Sequence, residues 1–140
     1  MKKVVMIALL VGLCAAAFAQ SGGVVIPREL AGTWFRSGAS SGRSFDTWLT
    51  VSSTSSGATL QWRYSDGRAN EVARITKIEA IKASDPNQGT FEGKAAQYPS
   101  GWAISGTEDG RDVSYGYLLN PAGNRLTQVT SNMQDIWVKQ

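Results

Sequence analysis

The fold of this chain is decided by Leu30-Ala31-Gly32-Thr33-Trp34-Phe35, together with Ile136-Trp137-Val138-Lys139 near its end. An early Gly-x-Trp strand and a last strand that ends in a cation are typical of a small closed β-barrel, whose first and last strands are neighbours. We therefore predict that Trp34 closes one end of a barrel and that Lys139, or else Arg125, lies over its ring as a cation–π partner. Four residues are assigned to this barrel plug: Gly32, Trp34, Trp137 and Lys139.

Short segments of alternating polarity fill the chain between these stretches. The clearest is residues 58–64, which place Leu60, Trp62 and Tyr64 on one face and polar side chains on the other. Several such segments at a spacing of about ten residues predict an all-β domain. We expect a single antiparallel up-and-down barrel of eight to nine strands, near residues 31–37, 45–52, 58–64, 70–81, 89–95, 101–106, 112–119, 124–130 and 134–139.

The turns between the segments favour an antiparallel meander. Asp66-Gly67 and Asp109-Gly110 are strong hairpin signals because both residues tolerate a positive φ. The stretch Asn120-Pro121-Ala122-Gly123-Asn124 suits a type I turn followed by a left-handed glycine. Each turn joins segments that are adjacent in sequence, so parallel crossover connections are disfavoured.

Three stretches depart from this simple pattern. Residues 38–44 and 52–57 are rich in Ser and Gly and are expected to form flexible loops, the first a candidate mobile lid. Residues 70–82 carry apolar side chains at intervals of three, which fit neither a regular strand nor an ideal helix. We favour a long strand with a bulge near Thr76-Lys77, because three of those apolar residues are isoleucine. A short amphipathic helix is the alternative.

The first 19 residues read as a secretory signal peptide. Lys2 and Lys3 precede an apolar run that is short for a membrane span, and Ala17-Phe18-Ala19 is a small-x-small cleavage site. Lipid anchoring through Cys14 is less favoured, because the residue before that cysteine is Leu13 rather than a small one. We predict export to the periplasm or the exterior and three parts of the chain: signal peptide 1–19, flexible N-terminal linker 20–29, and barrel domain 30–140.

The composition of the mature chain restricts its partners and chemistry. Removal of the leader leaves 12 basic and 11 acidic residues, with no cluster of basic residues. We therefore expect no nucleic-acid partner, and no further apolar stretch is long enough to span a membrane. The chain has no histidine, and its single cysteine, Cys14, lies in the leader, so a Ser-His-Asp triad, thiol catalysis and a Cys-based zinc site are excluded.

The carboxylates offer little metal or catalytic chemistry. Glu108, Asp109 and Asp112 cluster around one turn and could hold calcium weakly, but a solvated hairpin tip is the favoured interpretation. The sequence contains neither a Walker nor a dinucleotide-binding fingerprint. We therefore predict no catalytic residue, no metal and no cofactor, and a protein that is not an enzyme.

Gly32-Thr33-Trp34 and Trp137-Val138-Lys139 resemble motifs of the lipocalins and the wider calycin superfamily, particularly short bacterial lipocalin-like proteins. Those families begin with Gly-x-Trp and end with an aromatic-x-Arg/Lys element whose cation packs over that tryptophan. Residues 117–127 are similar to the penultimate hairpin of such domains. Avidins share the opening, but their biotin-contacting polar residues have no match in residues 36–39. The resemblance implies an up-and-down barrel with room for a small ligand.

Aromatic side chains in the predicted strands are the candidate ligand contacts, since tyrosine and tryptophan combine apolar surface with a polar group. They are Trp48, Trp62, Tyr64, Trp102, Tyr115 and Tyr117. We expect an exported lipocalin-like protein that binds a small apolar or amphiphilic molecule in the barrel interior, with Arg36 or Arg63 as a partner for an anionic head group. In the alternative, these rings fill the barrel, no small molecule binds, and the protein has an envelope or interaction role with an unidentified protein partner.

Overall fold

The computed structural model describes residues 23–81, 98, 100–129 and 135–140. One closed barrel of eight antiparallel strands accounts for most of them, and each strand pairs with its neighbours in sequence. The strands are β1 Gly32–Arg36, β2 Thr47–Thr54, β3 Gly57–Tyr64, β4 Glu71–Ala80, β5 Ser100–Glu108, β6 Arg111–Leu119, β7 Arg125–Gln128 and β8 Ile136–Lys139. The predicted fold class is confirmed. The expected signal peptide and the strand predicted at 89–95 lie outside the described residues.

The barrel closes where the two ends of the chain meet. Strand β1 pairs with β8 in antiparallel fashion, with Trp34 opposite Lys139 and Phe35 opposite Val138. The two stretches singled out in the sequence are therefore neighbours, as predicted. Closure leaves neither terminal strand as a free edge, which removes the usual site of strand-to-strand association.

Strict alternation divides each strand between the interior and the outer surface. In β3, Ala58, Leu60 and Trp62 are buried inside, whereas Gln61 and Arg63 are exposed. The period of two follows from the pleat, which sends successive side chains to opposite faces. The interior is one apolar cluster, whose largest fully buried members are Trp34, Trp137, Tyr117, Leu30, Leu49, Leu60, Ile104, Leu126 and Val51.

Strand β4 contains the predicted bulge. Its pairing with β5 shifts between Ile75 and Lys77. The bulge explains the interval between Ile75 and Ile78, because an extra residue keeps two positions three apart on one face: Ile75 is buried inside before the bulge, and Ile78 packs against the same core after it. The helical alternative for this segment is wrong. A Cβ on Gly106 of β5 would lie 2.3 Å from the carbonyl oxygen of Arg74, so only glycine allows this close approach.

The two Ser- and Gly-rich stretches are more regular than the sequence suggested. Residues Gly38–Ser41 form a short helix, α1, in which the hydroxyls of Ser40 and Ser41 both donate to the carbonyl oxygen of Ser37. Strand β2 continues to Thr54 and β3 begins at Gly57, so the second expected loop is a tight hairpin. Pairing between the strands outweighs the turn preference of serine, because it satisfies the backbone groups of both strands.

The barrel has two distinguishable ends. We call the end that holds the start of β1, the β2–β3 hairpin and Lys139 the closed end. The opposite end, where Arg36, Thr47 and Tyr64 lie side by side on β1, β2 and β3, is called the mouth. The loop that carries α1 connects β1 to β2 at the mouth. In the part of the chain that the structure describes, no helix is long and apolar enough to cross a membrane.

Candidate functional site

At the closed end, the polar groups of the plug have partners. The Trp34 ring is fully buried, and its Nε1 donates a hydrogen bond of 2.9 Å to the carbonyl oxygen of Leu30. Lys139 Nζ lies 5.2 Å from the centre of that ring and 3.4 Å from the carbonyl oxygen of Glu29. Lys139, rather than Arg125, is thus the cation over Trp34. Gly32 packs beside it, since a Cβ there would lie 3.9 Å from Lys139 Cε. The polar atoms of Trp34 and Lys139 therefore both have partners.

Trp137 belongs to the mouth rather than to the plug. Its position on β8 is two residues from Lys139, which places its ring one pair further along the barrel. The ring is fully buried, its Nε1 donates to Gln128 Oε1 at 3.1 Å, and the guanidinium of Arg36 lies 4.4 Å from its centre. Trp137, which was predicted as part of the plug, thus lies in the same core as Trp34 but nearer to the mouth.

Arg36 is a cation inside the barrel. Its side chain points inward from β1, and only 7% of the residue is exposed. Its Nη2 donates to Thr47 Oγ1 at 3.3 Å, and its Nη1 lies 3.5 Å from the Asp135 carboxylate. Its Nε is buried and has no hydrogen-bond partner in the described structure. Burial is the main cause that lowers the pKa of Arg36; Arg43 adds to this effect, and Asp135 opposes it.

The Asp135 carboxylate is shared between two arginines. It accepts a hydrogen bond of 2.8 Å from Nη1 of Arg43, in the loop after α1, and its contact with Arg36 is longer. Two guanidinium groups thus face one carboxylate, so the charge of Arg36 is incompletely neutralised. The same contact ties the β1–β2 loop to the start of β8.

Tyr117 presents the second buried group without a partner. Its residue is 0% exposed, and its hydroxyl makes no hydrogen bond within the described residues. Burial raises the pKa of Tyr117, and the charge of Arg36 acts in the opposite direction. The hydroxyl therefore remains protonated at neutral pH and is available as a hydrogen-bond donor.

The other interior tyrosines are paired with carboxylates. Tyr64 donates to Glu71 at 2.6 Å, and Tyr115 donates to Glu108 at 3.3 Å. Both rings are only partly buried. Burial and, to a lesser extent, Glu108 raise the pKa of Tyr115 to about 12. The pKa of Tyr64 is raised in the same way by burial and Glu71. Two carboxylates, those of Glu71 and Glu108, thus lie near the mouth as acceptors of tyrosine hydroxyls.

The β1–β2 and β3–β4 loops pack together beside Tyr64. The guanidinium of Arg68, in the β3–β4 loop, lies 4.0 Å from the Phe45 ring centre and 5.1 Å from that of Tyr64. Phe45, in the β1–β2 loop, meets Tyr64 edge to face at 5.6 Å. The candidate lid is therefore held at both flanks, by Arg68 on one side and by the Asp135 contact on the other.

Five of the six predicted ligand contacts lie on the inner face of the barrel, and one does not. Those inside are Trp62, Tyr64, Trp102, Tyr115 and Tyr117, all in the interior cluster. Trp48 is on the outer face, because the inward positions of β2 are Thr47, Leu49 and Val51. Its ring packs against Phe35 at 5.3 Å and under the guanidinium of Arg63 at 4.5 Å. The prediction that Trp48 lines the interior is wrong.

The same alternation separates the two arginines considered for an anionic head group. Arg63 follows Trp62 and is on the outer surface, whereas Arg36 is two residues after Trp34 and shares its inward direction. The two-residue spacing between Trp34 and Arg36 could have predicted from the sequence that both side chains point inward. Sequence reasoning missed Thr47 and Asp135 at this site, and no motif marks either residue.

The carboxylate cluster of Glu108, Asp109 and Asp112 lies at the β5–β6 hairpin, where Glu108 accepts a hydrogen bond from the Tyr115 hydroxyl.

No group of three or more metal-ligating side chains occurs among the residues for which positions are described. Comparison of the chain with models of protein families, with curated proteins and with solved structures found no match. The barrel and the polar groups at its mouth are thus the observations from which a function is argued.

Proposed function

We propose that this protein binds a small amphiphilic molecule inside its barrel, entering at the mouth. The observation that carries the proposal is the pair of buried polar groups, Arg36 Nε and Tyr117 Oη, that have no partner in the described structure. A buried donor without an acceptor costs about 1–3 kcal/mol. Two such donors inside the barrel, on β1 and β6, are a stability cost that a ligand acceptor would remove.

Aromatic side chains inside the barrel supply the apolar contacts that such a ligand needs. Trp62 and Tyr115 face each other with ring centres 5.2 Å apart, and Tyr115 is partly open to solvent. Trp102 lies inside on the neighbouring strand, β5. Burial of apolar ligand surface against these rings would contribute about 25 cal/mol per Å², before the costs of association.

Kinship with bacterial lipocalin-like proteins is part of the same proposal. The stack of Lys139 on Trp34, across the β1–β8 pair, supports it, because this is the arrangement that the resemblance implied. The signal-peptide pattern in the sequence of residues 1–19 supports export. The proposed role is non-covalent binding rather than catalysis.

An interaction role with a filled barrel is the second candidate. It is favoured by the apolar outer surface of β8, where Ile136 and Val138 are 42% and 40% exposed. Val138 is opposite Phe35, which packs on Trp48, so this surface continues across three strands.

Native mass spectrometry of the protein purified from its source compartment tests the first candidate against the second. We expect a small molecule that co-purifies in one-to-one stoichiometry, or one-to-one binding of at least one of three added probes: decanol, decanoate and decylammonium. Intrinsic tryptophan fluorescence should change in a saturable manner, because Trp62 and Trp102 lie in the interior. Protein that is empty and binds none of the three would exclude the binding proposal in favour of the filled barrel.

A further inference from the structure

We propose that the outer wall of the barrel around β1 is a docking surface for an anionic membrane surface. Strand register sets one continuous row of outward side chains on this wall, from Arg125 on β7 to Arg63 on β3. The proposal goes beyond binding in the interior, because it concerns the opposite faces of the strands and holds whether the interior is open or filled.

The row follows from the pairing of five neighbouring strands. Arg125 is paired with Val138, Val138 with Phe35, Phe35 with Trp48, and Trp48 with Arg63. All five side chains point outward, because each is adjacent in its strand to a buried residue that points inward. We call these five residues the outer row. It has an apolar centre on three strands and an arginine at each end.

The apolar centre of the outer row is accessible. Val138 is 40% exposed, and Phe35 and Trp48, whose ring centres lie 5.3 Å apart, are each partly exposed. Ile136, the next outward residue of β8, is 42% exposed and extends the apolar centre toward the mouth. Exposed apolar side chains that are clustered, unlike isolated ones, mark sites of interaction.

The charges at the ends of the outer row define the chemistry of its partner. Arg63 and Arg125 are exposed, and neither forms an ion pair with any residue that the structure describes. The guanidinium of Arg63 lies 4.5 Å from the centre of the Trp48 ring, which holds this cation next to the apolar centre. The row is therefore complementary to a surface that carries negative charge and is apolar beneath it.

The size and shape of the outer row favour a lipid surface over a protein. Neighbouring strands lie about 4.8 Å apart, so the row is about 20 Å wide and its apolar centre about 10 Å wide. A stable protein interface buries about 800 Å² on each partner, and its strongest contacts are held in pockets. The outer wall of a barrel is convex, and lipid headgroups adapt to such a shape. Tryptophan and arginine are also the side chains that combine apolar surface with a polar group at a membrane interface.

A second copy of the chain does not fit the charges of the outer row. A two-fold axis that lays one row along another brings an arginine of one copy against an arginine of the other. Juxtaposed like charges oppose association, and the row contains no carboxylate that would compensate them. The partner must supply the negative charge itself, as anionic phospholipids do.

The test is co-sedimentation of the protein, purified from its source compartment, with two kinds of vesicle. One contains phosphatidylcholine alone, and the other contains phosphatidylcholine and phosphatidylglycerol in equal amounts. Salt is kept at about 0.1 M, where charges act over about 10 Å, so that only the docked surface contributes. We expect partitioning onto the anionic vesicles to be at least about tenfold stronger, because each arginine near such a surface contributes about fivefold.

Substitutions at exposed positions, which should leave the fold intact, assign the binding to the outer row. Arg63→Gln and Arg125→Gln should each weaken partitioning about fivefold. Arg111→Gln, at the exposed start of β6, is the matched control and should change it less than about twofold. Val138→Asp should weaken partitioning at least about tenfold, because it places a negative charge in the apolar centre. Val25→Asp is its control, since Val25 is 85% exposed and lies outside the row.

Three results with vesicles would overturn the proposal: no binding to either kind, equal binding to both, or losses in the two controls as large as those in the row. Polyglutamate tests the other class of partner. If it binds as strongly as the anionic vesicles and competes with them, the row is a site for an acidic polypeptide, and the membrane proposal is overturned. None of these results bears on binding inside the barrel, which native mass spectrometry with the decyl probes measures.

Discussion

A cation lies over a buried tryptophan ring at each end of the barrel, but the two pairs differ in their hydrogen bonds. At the closed end Lys139 lies over Trp34, whose Nε1 has an acceptor at 2.9 Å. At the mouth Arg36 lies over Trp137, but Arg36 Nε has no partner in the described structure. A cation on a buried indole thus completes the packing at one end and leaves an unsatisfied donor at the other.

The difference shows that the unsatisfied buried polar groups, which lower stability, are near the mouth. Buried polar groups without partners are rare in folded proteins, because each loses its hydrogen bonds to water without replacement. The closed end follows that rule and the mouth does not. Local departures of this kind are concentrated at functional sites, and this contrast is why we propose that a ligand binds at the mouth.

The largest effect should come from Trp34→Ala at the closed end. Loss of a fully buried ring leaves a cavity and should lower the free energy of unfolding by about 3–5 kcal/mol, as measured by urea denaturation. Trp48→Ala is the matched control, because Trp48 is half-buried on the outer face and its removal opens no interior cavity. Equal losses for the two variants would contradict a structural plug at Trp34.

The second-largest effect should be a fall in the free energy of unfolding at alkaline pH, caused by ionisation of Tyr115. The pKa of Tyr115 is about 12 in the folded protein and 10.0 in an ordinary environment, with burial as the main cause. Because the folded-state value is raised, the stabilisation is fully present below pH 10 and is lost as the pH rises toward 12. Urea denaturation across this range should show the loss, and tyrosinate absorbance should rise together with unfolding. Tyr115→Phe should weaken this dependence; an unchanged profile would refute the assignment.

Tyr117→Phe should change stability in the opposite direction from most core substitutions. The hydroxyl of Tyr117 is buried without a partner, so its removal from the ligand-free protein should raise the free energy of unfolding by about 1 kcal/mol. Tyr64→Phe is the control and should lower it, because Tyr64 donates a hydrogen bond of 2.6 Å to Glu71. A loss of stability in Tyr117→Phe comparable to that of the control would show that its hydroxyl has a partner.

The smallest effect should follow Lys139→Met, which keeps the length of the side chain but removes its charge. Lys139 is exposed where it lies over the buried ring of Trp34, so the expected loss is about 0.5–1 kcal/mol. Lys77→Met is the control, since Lys77 is an exposed strand lysine whose only described ion pair, with Glu79, is also exposed. If both variants lose the same amount, the stack on Trp34 contributes nothing specific.

Periodic patterns predicted most of the fold because they reflect local geometry. The alternation in residues 58–64, the Asp109-Gly110 hairpin with a positive φ at both residues, and the bulge after Ile75 are all set by residues close in sequence. Trp48 was misplaced because its sequence neighbourhood does not say which face of β2 is inside. Pairing with β1 decides this, by placing Trp48 opposite Phe35 and Leu49 opposite Trp34.

The sequence alone determined that this chain would be a closed antiparallel barrel with Trp34 and Lys139 at its seam, because strand alternation, turn chemistry and the two end motifs are all local signals. Only the tertiary structure decided that Trp137 joins Arg36, that Asp135 is divided between two arginines, and that Tyr117 has an unsatisfied hydroxyl. These features depend on strand register and burial, which bring together residues that are distant in sequence. No local pattern encodes whether a buried donor finds an acceptor.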